Sequence, residues 1–341
     1  MKNFIFFRND RLGDFIILTN LIKTVKHKYK NSHVTVLCSP MNYQFIKNFR
    51  IIDSVYVYSK KLSFIKKVNL LFKIIKKNYY ASFAVDGKSF SNICNFFINS
   101  KYKLGLVYKY KFLNFWFSKP NFLYNFFVFN KFETFTSKKD LKQIEHLPKK
   151  INNLGNFFNL KLNTKDQYYF QVDKKIHQKF LKYKKKYLNN KYILFHFDEK
   201  WKDIKFVDQR LLINLVNLQK KIKKKIVITS FKNNFDYYRA LKKKLISKNI
   251  HLIENCDLYF FERLIKYSSY SISCHSGFMV QIAGANLSNL IDIINKEDYL
   301  WYSCWKPLNT QHKFIYKSNK FKRSIDDLFN DININVKFSS Q

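Results

Sequence analysis

Two successive runs of alternating strand and helix patterns limit what this chain can fold into. Apolar or alternating segments lie at 3–7 (NFIFF), 33–38 (HVTVLC), 54–58 (SVYVY) and 81–86 (ASFAVD), separated by helical periods at 14–29, 41–48, 62–77 and 89–98. Parallel strands need long crossovers and helices supply them, so the pattern predicts parallel βαβ units. A helix is expected over 141–159, interrupted or kinked by Pro148. Near 160–172 the pattern resets through a polar connection and a short strand. It then restarts with strands at 192–197, 225–230, 251–254, 270–274 and 290–294, and helices at 174–188, 207–221, 235–247, 259–267, 277–285 and 323–331. The 341 residues exceed what one core usually serves. We therefore expect an α/β chain with domains at 1–162 and 163–320, and a terminal helix and tail at 321–341.

The chain carries ample material for two cores: 47% of residues are hydrophobic, with 37 Phe and 23 Tyr. The formal net charge is +40. Such a field attracts nucleic acid, anionic lipid or phosphorylated substrates. Lys, Asn, Ile, Phe and Tyr all use A/T-rich codons, so base-composition bias is an alternative source of the lysine. A nucleic-acid reader would present a basic stripe with stacking aromatics rather than two βαβ domains, so no nucleic-acid partner is expected. The five cysteines are scattered without a CxxC pair and read as reduced, buried thiols. The apolar start MKNFIFF is cut short by Arg8, and no stretch approaches a membrane span. The expectation is a protein that is soluble or bound to a membrane surface. The segment 110–134 is dense in Phe, dotted with Lys and holds Pro120. It reads either as an irregular insertion packing its aromatics inward or as an aromatic and basic face for a membrane interface.

Three stretches carry chemistry. In open parallel sheets, ligands gather where strands end and helices begin. RNDRLGD (8–14) occupies that place after the first strand. Gly13 permits close backbone approach or a positive φ, and Asp14 begins the helix, where free N–H groups favour its ionised form. Asp14 is a candidate base or simply an N-cap, with Asp10 as its rival. ISCHSGFMVQIAGAN (272–286) places Ser276 and Gly277 before a helix, an anion site suited to a diphosphate or an ordinary capped turn. FHFDEKWKDIKF (195–206) ends a strand at His196 and offers Lys200, Lys202 and Lys205 to a phosphate. His196 reads equally as a core histidine. No GxGxxG follows the first strand and no GxxxxGK[ST] occurs, which argues against dehydrogenase and P-loop readings.

In their order, these stretches resemble the glycosyltransferase family that contains the ADP-heptose:lipopolysaccharide heptosyltransferases, family 9. FRNDRLGDFIILTNLIKTVKHKYK matches the family's opening R-L-G-D form, and the strand and helix at 79–106 its D-h-x-x-D-h-x-g-S region. EHLPKKINNLGNFFNL (145–160) resembles the helix closing its first domain. FHFDEKWKDIKF corresponds to its H-P-G-a-s-x-x-x-K-x-W, and CHSGFMVQIAGAN to its D-S/T-G-x-x-H-x-A-a-A-l. The resemblance implies a GT-B fold, two Rossmann-like domains facing across a cleft, with the last helix crossing back to the first domain. It implies an inverting, metal-independent glycosyltransferase needing no cofactor beyond a nucleotide-sugar donor, ADP-sugar first. The acceptor would be lipopolysaccharide core or another envelope glycan, met at the anionic inner face of the cytoplasmic membrane. Asp14 would be the general base, with Arg11, Gly13 and Asp10 toward the acceptor. His196, Lys202, Lys205, Asn234, His275, Ser276, Gly277, Phe278 and Met279 would line the donor site. His275 stands where the family has Asp, Val280 where it has His, and Phe197–Asp198 where it has Pro-Gly. A second reading is therefore an inactive GT-B protein that binds glycan or scaffolds an envelope pathway.

Overall fold

A computed structural model describes residues 1–113, 115–119, 128–160, 162, 168–188, 191–230, 249–307, 310–318 and 321–337. The chain divides into two compact units, Met1–Gln171 with Leu300–Leu308, and Val172–Tyr299 with Asn309–Gln341. No described helix is long and apolar enough to cross a membrane.

The first unit contains β1 (Lys2–Arg8), α1 (Leu12–Lys28), β2 (Ser32–Cys38), α2 (Pro40–Ile46), β3 (Ser54–Val57), α3 (Phe64–Ile75), β4 (Asn78–Ala84) and α4 (Ser89–Phe97). β5 (Asn99–Phe112), β6 (Phe115–Lys119), β7 (Lys131–Thr136) and α5 (Leu147–Asn153) follow. The sheet runs β3-β2-β1-β4-β5-β6, with β7 also on β5, and only the β5/β6 pair is antiparallel. Side chains alternate across a strand, so β1 serves two cores. Phe4 and Phe6 meet Phe158 and Phe83, while Ile5 and Phe7 join Ile74, Cys94 and Val107. α1 is apolar nearly all round and is buried from Phe15 to Ile22.

In the second unit come α6 (Lys174–Tyr183), β8 (Ile193–His196), α7 (Val207–Ile222), β9 (Ile226–Ser230), β10 (Ile250–Glu254), α8 (Leu258–Tyr267), β11 (Tyr270–Ser273), α9 (Gly277–Asn286) and β12 (Leu290–Asn295). α10 (Tyr299–Cys304), β13 (His312–Ser318) and α11 (Ile325–Lys337) complete the described elements. The sheet β10-β9-β8-β11-β12-β13 is parallel throughout. All five cysteines are free and buried.

Several elements differ from expectation. Pro148 does not interrupt a long helix but sits in the first turn of α5, behind His146, whose side chain accepts from Lys149 N. Proline loses nothing there, because that N–H has no partner inside the helix. The last helix packs on α7 within the second unit, through Ile325, Leu328, Phe329 and Ile332, and residues 300–308 are the part of the later chain grouped with the first unit. β5, β6, β7 and β13 were not foreseen, so the described part of 110–134 is not the irregular insertion that was one expectation. The helix expected at 235–247 lies outside the described residues, as do 114 and 120–127 of the aromatic segment.

Gly105 in β5 marks a close approach. A Cβ there would lie 2.1 Å from Cε1 of the buried Phe129 ring. Overpacking of this kind costs about 1–3 kcal/mol. Gly105→Ala should lower the urea midpoint accordingly, and an unchanged midpoint would mean that Phe129 yields freely.

Candidate active site

Each sheet reverses its strand order once, between β1 and β4 and between β8 and β11. The carboxyl ends of those strands form a crevice where ligands bind in such folds. Charged or titratable residues stand at both: Arg8 and Asp86 in the first unit, His196 and His275 in the second.

In the first unit, Arg8 ends β1 and is fully buried. A buried guanidinium is costly unless paired and hydrogen-bonded. Nη1 donates to the Val85 carbonyl at 2.5 Å, Nε lies 3.1 Å from Asp10 Oδ1, and Nη2 lies 3.5 Å from Asp14 Oδ1. Asp86, just past β4, accepts from Asn9 N, Lys88 N and Ser91 Oγ at 2.7–3.0 Å. Burial pushes Arg8 down, but Asp10 and Asp14 outweigh it and hold the guanidinium above its ordinary range. Burial raises the Asp10 carboxyl well above the usual carboxylate range, against the pull of Arg8 and with repulsion from Asp14 and Asp86 added. Burial also raises Asp86, despite its three donors. Tyr108 of β5 stands close enough for the charges of Arg8 and all three carboxylates to act on its hydroxyl, which burial raises.

Asp14 therefore sits in the first turn of α1, not at its N-cap, which is Arg11. Its carboxylate is anchored by Arg8 and remains 18% exposed. Asp10 is fixed further through its carbonyl, which accepts from Asn42 Nδ2 at 2.5 Å. Gly13 is helical and buried, and Gly87 is the glycine with positive φ, tucked against Tyr108. Arg11 is exposed. Beside this cluster opens a cleft of about 430 Å³ lined by Asn9, Ser39, Tyr58, Lys60, Gly87 and Lys88. It offers hydroxyls, two ammonium groups and a stacked Tyr58–Phe90 pair at 4.1 Å.

In the second unit, His196 ends β8 as a core residue. Its Nδ1 lies 3.1 Å from Thr229 Oγ1, and its carbonyl accepts from Trp201 Nε1. Burial, with Lys200 adding, pushes it down to about 3, so the ring is neutral at physiological pH. After β11, His275 adopts φ +50°. Its Nδ1 is 2.7 Å from Asp292 Oδ2, and His312 Nε2 approaches the same oxygen at 3.3 Å. Asp292 is fully buried, which raises its carboxyl, but the imidazole of His275 overcomes this and holds it below the usual range. Ser276 caps α9, accepting from Met279 N, and an added Cβ at Gly277 would meet nothing within 4 Å. Open space therefore lies beside the Gly277 α-carbon at this helix start.

The lysine at this turn is Lys200, whose Nζ donates to the His275 carbonyl at 2.7 Å. Lys202 is exposed, and Lys205 is exposed and ties its backbone to Arg323 and Ile325. Phe278 and Met279 are buried, so only their backbone could meet a ligand. Asn234 lies outside the described residues. Sequence reasoning passed over Arg8, Asp86, Tyr108, Asp292 and His312. An aspartate inside the apolar run LIDII was a usable signal, because lone charges are rarely buried without a purpose.

No protein-family model and no curated protein matches the chain in sequence. Solved structures match it over nearly its whole length. A glycosyl transferase family 9 protein from Veillonella parvula superposes with TM-score 0.69 at 12% identity, over 98% of this chain and 89% of that one. E. coli ADP-heptose lipopolysaccharide heptosyltransferase II gives 0.68 at 11%, over 100% of both. The fold is GT-B. It is shared by a UDP-GlcNAc 2-epimerase from Methanocaldococcus jannaschii, TM-score 0.54 at 13% identity, over 99% of this chain and 100% of that one. Fold likeness alone does not choose between such reactions.

Arg8→Met should be strongly destabilising, because it leaves carboxylates packed together without their cation. Breaking a buried pair costs about 3–5 kcal/mol. Urea unfolding measures this, and a loss below about 1 kcal/mol would mean that Arg8 is not the keystone of the cluster.

Proposed function

We propose that this chain is an inverting, metal-independent glycosyltransferase that moves a sugar, a heptose or similar, from an ADP-sugar to a hydroxyl of lipopolysaccharide core or another envelope glycan. One observation carries the reading. A partly exposed carboxylate, Asp14, is fixed by a buried arginine at the sheet edge, where an attacking hydroxyl could lose its proton. The heptosyltransferase structures that share the fold make an ADP-linked donor the first to test.

Asp14 takes the proton of the acceptor hydroxyl as its oxygen attacks the anomeric carbon. The bond from that carbon to the diphosphate breaks on the opposite face, and the electron pair leaves with the diphosphate. Within the second unit, the α9 N-terminus at Ser276–Gly277, with Lys200 and His275 beside it, suits the donor diphosphate. Lys60, Lys88 and the hydroxyls of the first-unit cleft suit a sugar acceptor bearing acidic groups. Such an acceptor is lipid-linked, and we place the enzyme at the inner face of the cytoplasmic membrane.

A thermal-shift panel of ADP, UDP, GDP and CDP tests the donor side. A ligand at 100 times its dissociation constant adds about 2.7 kcal/mol. ADP should shift the transition most. Gly277→Val should fold normally, since its Cβ meets nothing, yet lose the shift. No shift with any diphosphate would overturn the reading, while binding without turnover of any nucleotide sugar would favour the non-catalytic one.

A further inference from the structure

The aromatic segment is a hairpin with an amphipathic cross-section. β5 and β6 pair Tyr110 with Phe117 and Phe112 with Phe115, so these four rings share one face. Lys111 opposes Trp116 and Lys109 opposes Ser118 on the other, with Lys111 Nζ 5.1 Å from the Trp116 ring centroid. Phe112, Leu113, Phe115 and Trp116 are 61, 76, 71 and 54% exposed, and Tyr110 and Phe117 are about 40% exposed. Soluble surfaces rarely leave so many large apolar side chains together in water. The loop after β7 joins the hairpin base through Ser137 N to the Lys109 carbonyl and Lys111 N to Asp140 Oδ2. It brings the exposed Lys138 and Lys139 alongside.

The hairpin also has a definite place. The parallel pairing of β5 ends at its Gly105, opposite Ala84 of β4, and at its Lys109, opposite Thr136 of β7. At 3.3 Å per residue, the paired strands run about 10 Å past the carboxyl edge of the sheet. That edge carries Arg8 and Asp14. Tyr108, on the same face of β5 as Tyr110 and Phe112, opens the hairpin pairing and feels the charges of that cluster. The apolar ribbon therefore rises directly beside the acceptor-side residues.

We propose that this hairpin docks the protein on an anionic lipid surface. Its rings enter the headgroup region, its lysines meet the headgroups, and the carboxyl edge of the first sheet is held at the membrane. Aromatic insertion and lysine attraction combine in interfacial binding, and neither alone anchors firmly. The chain's +40 charge supplies the long-range attraction. The use of this placement for presenting a lipid-linked acceptor rests on the transferase reading. The docking itself does not.

The test is sedimentation of the full chain with phosphatidylglycerol/phosphatidylethanolamine vesicles and with neutral phosphatidylcholine vesicles. The wild type should pellet with the anionic vesicles at physiological salt and be released only in part by high salt, which screens charge but not ring insertion. The combined variant Phe112→Ser, Phe115→Ser, Trp116→Ser and Phe117→Ser should lose binding by about tenfold in high salt. Its nucleotide thermal shift should stay unchanged. Trp116 emission should move to the blue on anionic vesicles, a change absent in Trp116→Phe. Absence of wild-type pelleting, equal pelleting by the serine variant, or a wild-type dimer that the variant abolishes would each overturn the proposal. Failure of the transferase reading would show separately, as a missing diphosphate shift with vesicle binding intact.

Discussion

One buried guanidinium organises the first unit. Arg8 has no access to water, so its charge must be answered within the protein. The answers come from separate elements: Asp10 from the turn after β1, Asp14 from α1, the Val85 carbonyl and Asp86 from beyond β4, and Tyr108 from β5. Each must converge on the same strand end for Arg8 to be tolerated. The cost of burial thereby fixes the turn from β1 into α1 and holds Asp14 at a definite position. A surface aspartate in the same helix turn would have neither constraint.

The second unit solves the same problem with the charges reversed. Asp292 is a buried carboxylate approached by the imidazoles of His275 and His312. Its partner His275 occupies the left-handed turn that leads into α9. The carboxylate orients the ring and the turn exposes the helix N-terminus. The helix start is built without a glycine-rich phosphate loop, in keeping with a chain of only six glycines.

Much of this was legible in the residues, and the exceptions have physical causes. The run from Phe4 to Phe7 and the periodicity of α1 announce a strand and a buried helix, and the Ser276–Gly277 pair announces the capped start of a helix. Arg8 was passed over because an arginine at a strand end ordinarily points to solvent; only the meeting of nearby Asp10 and Asp14 with the distant Val85 carbonyl and Asp86 makes it a core residue. β5 and β13 escaped notice because NSKYKLGLVYKYKF and HKFIYKS interleave lysine with aromatics, a pattern suited to partly exposed strands but resembling loop in a lysine-rich chain. The family resemblance pointed to Lys202 and Lys205, yet the turn after β8 sends Lys200 to His275 instead. Spacing along an irregular turn says little about direction.

The central claim is that Asp14 serves as the base, and single-turnover transfer at saturating donor tests it most directly. Asp14→Asn keeps the shape of the side chain but cannot take the proton of the attacking hydroxyl. Loss of a positioned base typically costs about 10²–10⁴-fold. The account predicts a fall of that size with donor affinity unchanged. A rate near that of the wild type would contradict it.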